Sequence, residues 1–275
     1  MKYHWAAIDL DHTLLDYNGK ISLKSLVSIK NYQDLGGKVF ICTGRWLVSA
    51  LVYNKIIENY TKTDNDFIVS LNGALIYDLK EKEIVFSQCM SDEIFKRIIE
   101  IQKKVNIAIW IYSIDGIKNK YIYTKKLPAR KIVAKFNYGK IMELNEEKYC
   151  FKNDTLKILF LSFNKNKIKK AWKALGEEFS GEIDYVQTSK RAIEITNKDC
   201  NKGEAIKFIA KKYNINKENI VAFGDSNNDV TMFEQVGYKI GIKPSSEKLI
   251  ELADEVTTKR NSFAYSMNNF VINKK

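Results

Sequence analysis

The sequence predicts an α/β protein with a doubly wound, mostly parallel sheet and a smaller α+β domain inserted into it. Strand-like and helix-like segments alternate through roughly the first 80 residues and again from about residue 191. This alternation is typical of βαβ units, whose strands are parallel. Between the two stretches, several strand-like segments occur with only two helical ones. We therefore expect both ends of the chain to form one sheet.

The N-terminal half of this sheet begins with the apolar run Trp5-Ala6-Ala7-Ile8, which predicts a buried strand. The next segment carries apolar residues at helical spacing and stops at Gly36-Gly37, a pair that favours a helix end. The strand and helix patterns then repeat. The predicted segments are a helix at 22–35, a strand at 38–42, a turn at 43–45, a helix at 46–60 and a strand at 67–70.

The C-terminal half shows the same rhythm, with helices predicted at 202–213, 228–236 and 246–253 and strands at 219–223 and 238–241. The intervening strands are predicted at 107–112, 121–123, 157–163, 183–187 and 191–195, with helices at 91–104 and 166–179. The simplest organisation is a Rossmann-like core formed by 1–80 and 191–275, with the α+β domain at 81–190.

Composition excludes several classes of protein. With 45% hydrophobic residues among 275, the chain can bury a full core, and disorder is not expected. No apolar run reaches the roughly 18 residues that span a bilayer, and Asp9 in the first strand argues against a signal peptide. The four cysteines lack zinc-like or Cys-x-x-Cys spacing, which favours a reduced, cytoplasmic protein.

The net charge of +12 is concentrated in the middle of the chain, because 81–190 holds 22 basic and 14 acidic residues. Such a surface could attract anionic substrates or bind nucleic acid non-specifically. A lysine-rich, solvated surface explains the charge equally well.

Two acidic clusters, at 9–14 and 224–229, each follow an apolar run that predicts a buried strand. Carboxylates at strand ends are costly without a cation, so the clusters are expected to form two walls of one Mg²⁺ site. Asp9 and Asp11 would point the same way in an extended strand, and the bend that follows could give them separate tasks. One could attack phosphorus while the other transfers protons. For Asp9 and Asp11 taken alone, an acidic turn without a catalytic role is the alternative interpretation.

Other segments are ambiguous in isolation. Thr43-Gly44-Arg45 offers a hydroxyl and backbone N–H groups that could bind phosphate, or a plain turn. Lys202 opens a helix and could hold a phosphoryl oxygen, or be a surface lysine. Asp225, Asn228 and Asp229 suit Mg²⁺ and its surroundings, although Asp/Asn clusters also form turns and helix caps.

The order of these motifs resembles the haloacid dehalogenase superfamily. The motifs are Asp-x-Asp-x-Thr-Leu, Thr-Gly-Arg, Asn-Lys-Gly and Gly-Asp-x-x-Asn-Asp, and Ser70-Leu71-Asn72-Gly73-Ala74 is similar to a segment of its Cof-type phosphatases. The resemblance covers the whole chain, including an insertion where that subfamily carries its substrate-selecting cap. It implies that 81–190 is an α/β cap that closes over the site.

The resemblance also implies roles for individual residues. Asp9 matches the nucleophile that forms an aspartyl-phosphate, and Asp11 matches the general acid/base. The implied Mg²⁺ ligands are Asp9, the backbone carbonyl of Asp11, and Asp225. The implied phosphate-binding residues are Thr43, Gly44, Lys202 and Asn228, with Asp229 in a supporting position.

His12 departs from the resemblance, because these phosphatases usually have glycine there. A side chain that points away from the site is expected. A loop that required a positive φ at this position would strain a histidine.

The leading hypothesis is a Mg²⁺-dependent phosphatase acting on a small soluble phosphomonoester, such as a sugar phosphate or a phosphorylated cofactor. A phosphomutase with the same aspartate chemistry is a second hypothesis. A non-catalytic protein that binds polyanions through the basic 81–190 segment is a third. The expected partner is a small phosphorylated metabolite, without membrane or nucleic acid, and the expected oligomeric state is a monomer or dimer.

Overall fold

The computed structural model describes residues 2–125, 140–145, 153–257 and 262–273. The chain divides into two compact units: Met1–Phe86 with Asn201–Lys275, here called the core unit, and Ser87–Cys200, here called the inserted unit. The strands are β1 Trp5–Ile8, β2 Lys38–Cys42, β3 Phe67–Ser70, β4 Leu75–Asp78, β5 Glu83–Ser87, β6 Ala108–Ser113, β7 Tyr121–Lys125, β8 Lys140–Glu143, β9 Thr155–Leu161, β10 Ile183–Ser189, β11 Ala192–Asn197, β12 Ile220–Gly224, β13 Tyr238–Ile242 and β14 Glu255–Thr257.

Among the described residues, seven of the nine α-helices named below overlap predicted helical segments, and the two short helices at 114–119 and 262–266 were not predicted. The described helices are α1 Leu23–Asp34, α2 Leu47–Thr61, α3 Asp92–Val105, α4 Ile114–Asn119, α5 Lys165–Phe179, α6 Lys202–Lys212, α7 Val230–Phe233, α8 Glu247–Leu252 and α9 Ser262–Ser266. The helix predicted at 228–236 is shorter, because Asn227–Asp229 forms a 3-10 turn before α7.

The sheet of the core unit has eight strands in the order β14-β13-β12-β1-β2-β3-β4-β5. The six strands from β14 to β3 are parallel, and β4 is antiparallel to β3. The central strands are continuous apolar runs because helices cover a parallel sheet on both faces; every residue of β12 is buried. The predicted doubly wound, mostly parallel fold is confirmed.

Helix α6 is held on this sheet by its apolar stripe. Ala205, Ile206 and Ile209 are fully buried against a cluster that includes Phe40 and Phe67. Asn201 caps the helix by accepting a hydrogen bond from the Glu204 N–H at 3.0 Å. Packing and cap together fix where α6 begins, and Lys202 is its first residue.

The inserted unit has a six-stranded sheet in the order β10-β11-β9-β6-β7-β8. Its neighbouring strands are antiparallel except for the parallel pair β7 and β8. Helices α3 and α5 bury one face of the sheet, with Phe95, Leu175 and Phe160 in the shared core. This is the α+β arrangement that the sequence predicted.

The unit boundaries differ from the predicted 80/81 and 190/191. Residues 81–86 stay with the core unit because most of β5 lies there, and β5 neighbours β4 in the core sheet. Residues 191–200 stay with the inserted unit because β11 pairs with both β9 and β10. Strand pairing thus places the limits of the inserted unit at 86/87 and 200/201, and the predicted cap limits stay predictions.

Cys42, Cys89 and Cys200 are free thiols, and Cys150 lies outside the described residues. Within the described part of the chain, the helices are too short or too polar to cross a membrane.

Candidate active site

The two acidic clusters meet at the carboxyl edge of the core sheet. Strand β1 lies between β12 and β2, so the loops that follow these strands are neighbours. Asp9 follows β1 and Asp225 follows β12, and Asp229 lies four residues further along the second loop. Carboxylate oxygens of these three buried residues lie within 4.8 Å of one another. The spatial meeting predicted from the strand ends is confirmed.

Lys202 lies between two of these carboxylates. Its ammonium donates to Asp9 Oδ1 and to Asp229 Oδ1, each at 2.6 Å, and the side chain is completely buried. The alternative of a surface lysine is excluded. One ammonium facing three buried carboxylates leaves an excess of negative charge, which is costly away from water.

Burial and the excess negative charge together change the pKa values of the cluster. Burial raises the pKa of Asp9 to about 8, even though Lys202 opposes the rise. Burial and the neighbouring Asp229 raise the pKa of Asp225 to about 6. Burial acts to lower the pKa of Lys202, but the two adjacent carboxylates outweigh it, and the net direction is upward. The ammonium is therefore charged at neutral pH, while Asp9 and Asp225 hold protons more tightly than usual.

Asp229 organises the second loop. Its Oδ2 accepts hydrogen bonds from the N–H groups of Asp225 and Ser226, at 3.0 and 3.1 Å. Both of its oxygens are therefore engaged, one by Lys202 and one by backbone. The side chain of Asp225 has a different partner from that of Asp229: its Oδ1 accepts a hydrogen bond from the Thr13 hydroxyl at 3.0 Å. Thr13 was not singled out from the sequence, although it belongs to the first motif.

Asp11 does not share the environment of Asp9. Asp9 is 5% exposed, whereas half of the Asp11 side chain is exposed. Asp11 forms a two-pronged ion pair with Arg45: Nε donates to Oδ2 at 2.8 Å and Nη2 to Oδ1 at 2.6 Å. Strand β1 ends at Ile8, so the alternation that would align the two aspartates stops before them.

Arg45 is itself held by α2. Its Nη1 donates to the hydroxyls of Ser49 and Tyr53, at 3.3 and 3.2 Å. The Tyr53 hydroxyl donates to the carbonyl of Gly19 at 3.1 Å, in the loop that carries Asp11. Arg45 thus ties this loop to α2. Sequence reasoning quoted Arg45 in a motif but gave it no role, because its partner is 34 positions away.

The predicted phosphate-binding residues gather around Asn72. The Asn72 N–H donates to the Thr43 carbonyl at 3.0 Å, and Asn228 donates to Asn72 Oδ1 at 3.0 Å. A Cβ on Gly44 would lie 2.8 Å from that same oxygen, so a larger residue there would displace the Asn72 side chain. Asn72 was quoted in the Ser-x-Asn-Gly-Ala segment but not assigned. The structure brings Thr43, Gly44 and Asn228 together through it.

His12 has a φ of 62°, in the left-handed region where a β-carbon is unfavourable. The imidazole is exposed and lies against the ring of Tyr17, with centroids 5.3 Å apart. The loop therefore does adopt the positive φ that was expected to strain a histidine at this position.

We expect His12→Gly to have a free energy of unfolding about 1 kcal/mol higher than His12→Ala, because alanine keeps the backbone strain and glycine removes it. Urea unfolding of the two variants measures this difference. The same pair of substitutions at exposed Lys207, inside α6, should give the opposite order. Equal stabilities at position 12 would contradict the assigned conformation.

Comparison with known proteins now identifies the family. A model of the haloacid dehalogenase-like hydrolases matches residues 6–264. The chain belongs to this family. It is 30% identical over 275 residues to the 5-amino-6-(5-phospho-D-ribitylamino)uracil phosphatase YwtE of Bacillus subtilis, covering 91% of each protein. It is 26% identical to the phosphatase YwpJ of the same organism, covering 91% of this chain and 93% of that protein.

The fold agrees with solved structures of the same kind. The crystal structure of a Thermotoga maritima protein superposes with a TM-score of 0.84 at 28% identity, over 97% of each chain. A haloacid dehalogenase-like hydrolase from Bacteroides thetaiotaomicron superposes with a TM-score of 0.86 at 20% identity. The chain is a phosphatase of the haloacid dehalogenase superfamily, and hence a phosphoric monoester hydrolase.

Proposed function

We propose that the protein hydrolyses a small soluble phosphomonoester with Mg²⁺, through a phosphorylated Asp9. The observation that supports this most directly is the buried set of Asp9, Lys202, Asp225 and Asp229 at the carboxyl edge of the sheet. A nucleophilic carboxylate, a fixed ammonium and a cation-binding excess of negative charge are what phosphoryl transfer requires.

The donor set fits Mg²⁺, a cation that prefers carboxylate and carbonyl oxygens. Asp9, Asp225 and the backbone carbonyl of Asp11 would hold it. Asp229 is the poorer ligand, since both of its oxygens already accept hydrogen bonds. When bound, the cation offsets charge on the carboxylates and on the phosphoryl oxygens.

Asp9 attacks phosphorus, forming an oxygen–phosphorus bond as the bond to the leaving oxygen breaks. Asp11 donates a proton to that oxygen, and then accepts one from the water that attacks the phosphorylated Asp9. This second attack releases inorganic phosphate and regenerates both carboxyl groups. Lys202, Thr43 and Asn228 bind the phosphoryl oxygens. Arg45 positions Asp11 through a guanidinium that engages both carboxylate oxygens, and one of these two contacts has to open when Asp11 takes up the proton that it donates.

We further propose that the inserted unit selects the substrate and that the substrate is a sugar phosphate or a phosphorylated cofactor. The named substrate of the Bacillus relative, a phosphorylated ribitylamino compound, supports this class. The cytoplasmic location and the monomeric or dimeric state stay predictions.

Phosphate release from a panel of small phosphomonoesters, with and without Mg²⁺, tests the proposal. We expect release that requires Mg²⁺ and disappears in Asp9→Asn. An isomer of the substrate without free phosphate would instead support the phosphomutase hypothesis. Folded protein with Mg²⁺ bound and no turnover of any compound would contradict phosphatase activity of this kind.

We expect Mg²⁺ to stabilise the protein more at pH 8 than at pH 5.5. The pKa values of Asp9 and Asp225 are raised from 3.8 to about 8 and about 6. Their stabilising contribution in the metal-free protein is therefore complete below pH 3.8 and lost as the pH rises through the folded-state values. Mg²⁺ requires the deprotonated carboxylates, so its effect grows over the same pH range.

Thermal unfolding with and without saturating Mg²⁺ measures this linkage. The increase in Tm should be near zero at pH 5.5 and roughly 5 °C or more at pH 8. Asp9→Asn should reduce the increase at pH 8. An equal increase at both pH values would argue against Mg²⁺ binding at these carboxylates.

A further inference from the structure

A cavity lies in the core unit, beside the acidic cluster formed by Asp9, Asp225 and Asp229. Its volume is about 390 Å³, which is in the range of small-molecule sites. The loop that follows β1 forms one side, including His12 and Tyr17, and the loop that follows β13 forms another, including Lys243. None of the residues assigned above to phosphate binding lines this cavity.

The charge of the cavity is positive. Lys20 and Lys243 line it, and neither ammonium forms an ion pair with a described residue. The acidic side chain in the lining is Asp16, whose Oδ1 already accepts hydrogen bonds from the N–H groups of Asn18 and Lys20, both at 2.9 Å. Its carboxylate holds the turn together. Two ammonium groups that make no ion pair within the described ranges, over a small cavity, favour an anionic ligand.

Both walls of the cavity are attached to Asp225. From the first loop, the Thr13 hydroxyl donates to Asp225 Oδ1 at 3.0 Å. From the second loop, the Ser246 N–H donates to the Asp225 carbonyl at 2.9 Å, three residues after Lys243. A carboxylate oxygen of Asp225 lies within 4.8 Å of one on Asp9. The cavity therefore adjoins the phosphoryl-transfer centre, with Asp225 bonded to both of its loops.

The side formed by the loop that follows β1 is partly aromatic. Tyr17 is 79% exposed, a high value for a tyrosine, and its ring lies against the imidazole of His12, with the two ring planes tilted by 48°. The exposed face of Tyr17 offers a surface on which a sugar or another ring can stack.

We infer that this cavity binds an anionic group, a carboxylate or a phosphate, through Lys20 and Lys243. If the phosphatase function proposed above holds, the preferred substrate is a phosphomonoester whose leaving group carries a second anionic group. The same chemistry would also accept a free anion, and the experiment separates the two sources.

Calorimetric titration of the full chain with Mg²⁺, in an Asp9→Asn background that prevents turnover, tests the inference. The ligands are fructose bisphosphate and fructose monophosphate. We expect Lys20→Ala with Lys243→Ala to raise the Kd of the bisphosphate about tenfold or more, and that of the monophosphate less than about threefold. The control is Lys24→Ala with Lys248→Ala, which removes the same charge from exposed positions outside the cavity and should change neither Kd.

Titration with succinate forms the second arm. Succinate binding that is lost in the Lys20/Lys243 variant but kept in the control assigns the cavity to a free anion. Selective loss of bisphosphate affinity assigns it to the substrate. The inference would be overturned if each of the three ligands had the same Kd for the Lys20/Lys243 variant, for the Lys24/Lys248 control and for the Asp9→Asn protein from which both were made. Phosphate release by the wild-type chain tests the proposed phosphatase function separately. A failure of that function can therefore be distinguished from a failure of the cavity to bind an anion.

Discussion

Asp9→Asn is expected to lower kcat for phosphomonoester hydrolysis by about 10⁴-fold or more while the protein stays folded. An amide oxygen can still accept the hydrogen bond from Lys202, but it cannot form the phosphorylated intermediate. Removing one of three buried carboxylates also relieves repulsion. The free energy of unfolding without Mg²⁺ should therefore be equal to or higher than that of the wild type.

The measurement is a steady-state phosphate-release assay paired with urea unfolding. Asp34→Asn is the matched control, since Asp34 is an exposed residue of α1 that pairs with Lys30 at 2.7 Å. It should leave kcat unchanged. Activity of Asp9→Asn within tenfold of the wild type would rule out Asp9 as the nucleophile.

Lys202→Met is expected to lower the free energy of unfolding by about 3–5 kcal/mol and to abolish activity. Methionine matches the length of lysine but leaves Asp9 and Asp229 buried without their ammonium partner. Breaking one side of a buried ion pair costs this much because the remaining charges cannot return to water. Mg²⁺ should restore part of the lost stability by offsetting the same charge.

Lys207→Met provides the comparison on the same helix. Lys207 is exposed and pairs with Glu204 at 2.6 Å, so its loss should cost less than about 0.5 kcal/mol. The deficit of Lys202→Met should also shrink as the pH falls through about 8 and then about 6, because Asp9 and Asp225 take up protons over this range and their repulsion disappears. A Lys202→Met variant as stable as Lys207→Met at pH 9 would contradict the charged contacts of Lys202 with Asp9 and Asp229.

Much of the fold could be predicted because its signals are local. The strand predicted at 67–70 coincides with β3, and the helix predicted at 22–35 contains α1. Short continuous apolar runs bounded by turn residues favour buried strands of a covered parallel sheet, and glycine pairs favour helix ends. The limits of the inserted unit are less local, because β11 resembles a core strand until its pairing with β9 and β10 is known.

The candidate site was predictable in part for the same reason. Asp9 and Asp225 follow apolar strands, and loops at the carboxyl edge of a parallel sheet converge. Arg45, Asn72 and Thr13 were not assigned, since each acts on a partner far away in the chain: Asp11, Asn228 and Asp225 respectively. No local pattern records such contacts.

The class of fold, the carboxylates at the strand ends and the family could all be predicted from the amino-acid sequence, because apolar runs and the order of motifs are local properties of a sequence. The contacts between particular oxygens and donors could be established only from the folded structure. Lys202 reaches Asp9 across 193 positions, and that contact exists because α6 packs on the sheet beside β1. Electrostatic character depends on such through-space distances and on burial, and both arise only when the chain has folded.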